Sequence, residues 1–134
     1  MKLYSSNFVE ISLSDNNLVI TNEWFKTTAS MFDEQYKAEM LKFIEFVVLH
    51  KPKYHLIKSI DFLYIITIEM QEWTNNTIFP QLINAGIKKI AFLVSSEIIS
   101  QLSIEQTLEE NNASAFAIKY FDSENEAKKW LLEK

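Results

Sequence analysis

The chain contains no cysteine, one glycine and two prolines among 134 residues. The missing cysteine excludes disulfides, thiolate metal sites and cysteine nucleophiles. The scarcity of glycine is equally restrictive. Loops that cradle phosphate bring the backbone close to the ligand and use several glycines to do so. Here Gly86 stands alone, so the familiar phosphate loop is excluded. Imidazole is offered only by His50 and His55. A zinc site needs about three or four converging N, S or O ligands, so both histidines are read as surface or half-buried residues of a helix–strand connection. No metal and no cofactor is expected. Long apolar runs are missing too: residues 62–66 and 90–94 are the longest, far short of the ~20 residues of a membrane helix. Met1–Asn7 lacks the apolar stretch of a signal peptide. The formal net charge of −5 repels phosphate backbones and anionic membrane surfaces. The expectation is a soluble, cytoplasmic protein with neither nucleic acid nor membrane as partner.

What is present is apolar mass: 48% hydrophobic residues, with 10 Phe, 5 Tyr and 3 Trp. That is enough core for a single domain over residues 1–134. Phe8–Leu13 and Leu18–Trp24 alternate around the turn cluster Asp15-Asn16-Asn17, which predicts an N-terminal β-hairpin. Tyr36, Met40, Phe43, Ile44 and Val47 recur at helical spacing within a helix from about Met31 to His50, capped by Ser30. Leu41, Val48 and Leu49 widen that stripe, which predicts a mostly buried helix. Tyr54–Asp61 reads as a strand, and Phe62–Ile66 as an apolar connection. Thr67 caps a second helix to about Ala85, which Pro80 kinks or splits at 76–79. Gly86 ends it, as glycine does just past a helix. Ile90–Val94 reads as a central strand covered on both faces. Ser103-Ile104-Glu105-Gln106 opens a short helix, Ala115–Phe121 is a last strand, and Ser123–Glu126 caps a closing helix carrying Ala127, Trp130 and Leu131. The order ββαβαβαβα predicts an α/β fold: a mixed, mainly parallel five-stranded sheet with the hairpin at one edge and about four helices.

Few residues gather into a recognisable chemistry. Asp61 ends a strand, where ligands bind in open α/β sheets. As a functional carboxylate it would pair with Thr67 or with Ser95 at the end of the next strand; as a structural one it makes a turn. Glu69 and Glu72 lie three apart on the second helix and read as a solvated face that complements the helix dipole. Trp73 could stack on a ligand, but its spacing fits core packing. The run Phe62-Leu63-Tyr64-Ile65-Ile66 is either core or an exposed apolar patch, and such patches mark partners or ligand grooves.

Asp61, Glu72-Trp73, Pro80, Ala85-Gly86, Ala91-Phe92 and the closing Phe121…Ala127…Trp130-Leu131 together resemble the small bacterial STAS/SEC14-like proteins common in Bacteroidetes. The resemblance covers nearly the whole chain. It implies the fold of anti-sigma-factor antagonists and a regulatory or interaction module rather than an enzyme. The phosphorylatable members carry a Ser-Gly motif where the third strand meets its helix. Here that region is Tyr64–Met70, which lacks glycine and offers only Thr67 as a serine or threonine. The phosphorylation switch is therefore not implied.

Two functions stay open. The first is a non-enzymatic module that binds a protein partner or a second copy of itself. Its apolar centre would be Leu63, Tyr64 and Ile65, rimmed by Glu69 and Glu72. The second is a carrier of a small apolar, lipid-like ligand in a sheet–helix cavity lined by Phe43, Phe92 and Trp73. Asp61, Thr67, Ser95 and Trp73 are the candidates for a ligand or strand-end site.

Overall fold

A computed structural model describes residues 1–100 and 117–133. Among them, one sheet runs in chain order: β1 (Lys2–Ser5), β2 (Val9–Leu13), β3 (Val19–Trp24), β4 (Tyr54–Lys58), β5 (Lys89–Leu93) and β6 (Ala117–Phe121). β1–β2 and β2–β3 pair antiparallel; β3–β4, β4–β5 and β5–β6 pair parallel. The fold is thus α/β with a mixed sheet and the expected hairpin, but the sheet has six strands rather than five. The extra strand is β1. It sits at the edge, pairs only with β2, and slips register between Lys2 and Tyr4. So short and irregular an edge strand shows no alternation to read.

The hairpin places Val9, Ile11 and Leu13 opposite Trp24, Asn22 and Ile20 on one face. Its turn holds Asn17 at φ 61°, a conformation that asparagine tolerates well. After a 3₁₀ turn (Lys26–Ser30), helix α1 spans Asp33–His50. Ser30 does not cap it. The Ser30 hydroxyl donates to the Thr27 carbonyl instead, and the Gln35 side chain accepts from the Phe32 amide at the true N-terminus. Nor is α1 mostly buried: Leu41, Val48 and Leu49 face solvent. Its inner stripe is the narrower set of Tyr36, Phe43, Ile44 and Val47.

The second helical stretch carries the proline break in a specific form. Helix α2 (Ile68–Trp73) starts at Thr67, whose Oγ1 accepts from the Met70 amide at 3.2 Å. A π-helical turn (Thr74–Ile78) follows, then α3 (Phe79–Ala85) with Pro80 in its first turn. Proline lacks an N–H and crowds the carbonyl four residues back, and a wider turn before it relieves both problems. Gly86 closes α3 at φ 100°. Residues 96–100 are helical. Helix α4 (Glu124–Leu132) is capped by Ser123, which accepts from the Glu126 amide. The helix expected to open at Ser103 lies outside the described residues.

The two sheet faces are covered differently. On one, Ile11, Leu13, Ile20 and Ile90 pack against Phe43, Ile44 and Val47 of α1 and against Ile78 and Leu82. On the other, Ala127 and Leu131 of α4 close over Val19, Leu56 and Ala91. Lys89 ties the end of α4 to the sheet, its Nζ donating to the carbonyls of Trp130 (2.8 Å) and Glu133 (2.9 Å). A cation is favoured at that end of a helix. Central strand β4 is therefore roofed on both sides: Leu56 points to α4, while His55 points to α1.

Candidate functional site

Between the α1 side of the sheet and the helices lies a cavity of about 820 Å³. Pockets for small molecules span roughly 300–1,000 Å³. Its floor is built by strand alternation: His55 and Ile57 of β4, Ile90 and Phe92 of β5, Ile118 and Tyr120 of β6. Its roof is Tyr36, Met40 and Phe43 of α1 with Ile78, Leu82 and Ile83. Phe62 and Ile66 stand at the side, where the chain leaves β4 for α2. Ile66 and Ile83 are partly exposed. The polar lining is Ser59, Gln71, Thr74 and Asn75 besides the aromatic hydroxyls and His55; no Asp, Glu, Lys or Arg is among the described lining residues.

His55 is the unusual member. Its imidazole is buried and stacks on Phe43 with ring centroids 4.5 Å apart. Among the described residues neither Nδ1 nor Nε2 has a hydrogen-bond partner. Burial lowers its pKa to about 3, so the ring is neutral at ordinary pH. Asn22 is also buried, and its Oδ1 also has no partner. Ile20 of β3 stands opposite His55 and Asn22 opposite Ile57, so the two orphaned groups share a face on adjacent strands. Buried polar atoms normally find partners, and each that does not costs about 1–3 kcal/mol.

Tyrosine hydroxyls tie the helices around this cavity. Tyr36 donates to Thr74 Oγ1 at 2.7 Å, and Thr74 in turn donates to the Met70 carbonyl at 2.9 Å. The Tyr64 hydroxyl donates to the Asp33 carboxylate at the start of α1. Burial and the neighbouring carboxylate raise the Tyr64 pKa, and burial raises that of Tyr36. Glu39, a buried carboxylate on α1, accepts from Tyr4 (2.6 Å) and from Ser6, pinning the β1 end of the sheet.

The candidate residues fall in several places. Phe43 and Phe92 line the cavity; Trp73 does not, and instead meets Tyr36 edge-on at 6.1 Å. Asp61 is half-buried in the turn after β4, where its carbonyl accepts from the Thr28 hydroxyl. The Thr67 and Ser95 hydroxyls are each spent on a helical start, Ser95 accepting from the Ile98 amide. Of the proposed partner surface, Leu63, Glu69 and Glu72 are exposed and Ile65 is 83% exposed. Tyr64 is not exposed: at 9% accessibility its ring stacks on Tyr36 at 4.9 Å. The expectation of surface or half-buried histidines likewise fails for His55.

No family model, curated protein or solved structure matches the chain at a significant level. No helix among the described residues is long and apolar enough to cross a membrane. Function has to be argued from the site itself.

Proposed function

We propose that this protein is a non-enzymatic binding module whose sheet–helix cavity carries a small, largely apolar ligand. The observation that supports this is the cavity itself: about 820 Å³ walled by aliphatic and aromatic side chains from four strands and three helical segments. The recess is partly open to solvent, and an apolar recess of this size is the usual form of a small-molecule site. Apolar wall facing water costs about 25 cal/mol per Å², a penalty that an apolar ligand covering it removes. This reading keeps the α/β regulatory or carrier character implied by the resemblance to STAS/SEC14-like proteins, and it needs no phosphorylation switch.

Native mass spectrometry of protein taken from its source cell tests the proposal. A bound mass that organic extraction removes is the expected result, together with uptake of an apolar dye by the extracted protein. Ile83→Trp, at the partly exposed rim, should weaken that uptake at least tenfold. Absence of both the bound mass and the dye uptake overturns it.

A second reading, association with a protein partner or a second copy of the chain, is favoured by one specific feature. Ile60, Leu63, Ile65, Ile66 and Ile68 are all exposed along one connection, and Ile65 shares a shallow depression with exposed Phe32. Single exposed apolar residues are ordinary, but five within residues 60–68 single this segment out, since clustered exposed apolar surface marks interaction sites. Its rim is acidic, with Asp33, Glu34, Glu69 and Glu72 close in sequence to its members.

A further inference from the structure

We propose that the cavity's ligand is an uncharged amphiphile, an apolar body bearing a hydroxyl head, and that this hydroxyl hydrogen-bonds to the imidazole of His55. The inference rests on the cavity reading above and names the ligand class.

The wall argues for neutrality. A charged head placed among the described lining residues would meet no carboxylate, lysine or arginine. Burying an ionised group without a counter-charge is far costlier than burying a hydroxyl that finds a partner. A carboxylate or an amine is therefore the wrong head toward the described wall.

The unpartnered groups argue for a hydroxyl. His55 lines the cavity; among the described residues neither ring nitrogen has a partner, and both lie covered beneath the wall, so a hydroxyl reaches one as the side chains over it part. A neutral imidazole offers one N–H donor and one nitrogen acceptor. A hydroxyl donates and accepts, so it fits whichever nitrogen faces it in either tautomer. An ether or ester oxygen only accepts and serves one tautomer alone. Asn22 Oδ1, on the same face of the adjacent strand, is a further acceptor without a donor. Stacking on Phe43 fixes the ring plane, so the imidazole keeps its orientation as the wall over it opens.

Three probes distinguish this from the cavity reading on which it rests: 1-decanol, decyl methyl ether and decanoate. They are titrated into the intact protein while the methyl groups of Ile57, Ile90 and Ile118 and the ring ¹⁵N signals of His55 are followed by NMR. The expected result is that decanol moves the methyl signals and both ring ¹⁵N signals. It should bind about tenfold more tightly than the ether, as one well-placed hydrogen bond allows, and more tightly than decanoate. His55→Phe should keep the methyl response and erase the preference for the alcohol. Methyl shifts with unmoved ring nitrogens overturn the hydroxyl contact and leave the cavity reading standing. Decanoate binding more tightly than decanol overturns the neutral head. No methyl response to any probe overturns the cavity reading, and this inference with it.

Discussion

His55 and Phe43 stack at 4.5 Å between ring centroids with their planes 23° apart, joining the central strand to α1 through an imidazole that has no hydrogen-bond partner among the described residues. An aromatic residue would fill the same place without the desolvation penalty. The choice of histidine therefore carries a cost that packing alone does not explain, and it gives the protein a measurable signature.

That signature is acid lability. The pKa of His55 falls from 6.5 to about 3 on folding, so the unfolded chain binds the extra proton between those values. Stability therefore rises with pH across this window: the His55 contribution is complete above about 6.5 and is progressively lost toward 3. The slope contributed by one such group is about 1.4 kcal/mol per pH unit. Urea midpoints at pH 7, 5 and 4 should show wild type losing more stability than His55→Leu, with the gap growing as pH falls. Parallel curves for the two proteins would show that His55 does not stay neutral in the fold.

Glu39 holds the sheet edge. Its carboxylate accepts from Tyr4 and Ser6, and among the described strands β1 has only β2 as a neighbour. Glu39→Ala leaves two hydroxyls without their acceptor and should destabilise the protein by about 2 kcal/mol. Hydrogen exchange at β1 amides should rise more than at β4 or β5. Uniform acceleration across the sheet would mean that Glu39 supports the whole core rather than its edge.

Much of the architecture was legible because local chemistry and global fold agree. Thr67, Pro80, Gly86 and Ser123 each mark a boundary by a short-range effect: a cap, a missing N–H, a positive φ, a second cap. The hairpin declared itself by alternation. The failures are tertiary. β1 is an edge strand whose partner alone defines it. Leu41, Val48 and Leu49 look like a wider stripe until the sheet proves to cover only part of α1. His50 and His55 read as residues of a helix–strand connection, at the surface or half-buried, although a parallel strand covered on both faces buries residues of either parity; Leu56 and Ile57 beside His55 are the available signal. The cavity is a volume between layers, and no single segment encodes it. The row at 60–68 could be read as core or surface, and in fact it divides, with Tyr64 turning inward and Ile65 outward.

Gly86 separates strain from crowding. A Cβ built there meets nothing within 4 Å, yet φ is 100°. Gly86→Ala should therefore cost only the backbone penalty of a left-handed conformation, about 1–2 kcal/mol. Gly86→Asn should recover part of it, since asparagine tolerates this region better. A thermal-melt ranking of glycine, then asparagine, then alanine is expected. Equal melts for the three would show that the residue relaxes to negative φ.

The Tyr36–Thr74 contact tests whether the π turn is held by α1. Tyr36→Phe removes the donor that reaches Thr74 Oγ1 at 2.7 Å, while the ring keeps its stacking on Tyr64. The expected loss is about 1 kcal/mol. Thr74→Val removes that acceptor together with its own bond to the Met70 carbonyl, and adding Tyr36→Phe to it should cost little more, because the bond the two residues share is already gone. A fully additive double mutant would place the bond outside the stability of the fold.

The exposed row can be tested without disturbing the core. Ile65→Asp and Ile68→Asp change side chains that are 83% and 78% exposed, so the denaturation midpoint should move by less than about 0.5 kcal/mol equivalent. Where Tyr64→Ala would collapse a stacked ring, these two leave the fold intact and place charge on the patch. Should the chain self-associate through this face, light scattering will report a smaller species for the double variant than for wild type at the same concentration. An unchanged mass, with dye uptake also unchanged, assigns neither association nor ligand entry to residues 60–68 and leaves the cavity mouth to Ile83.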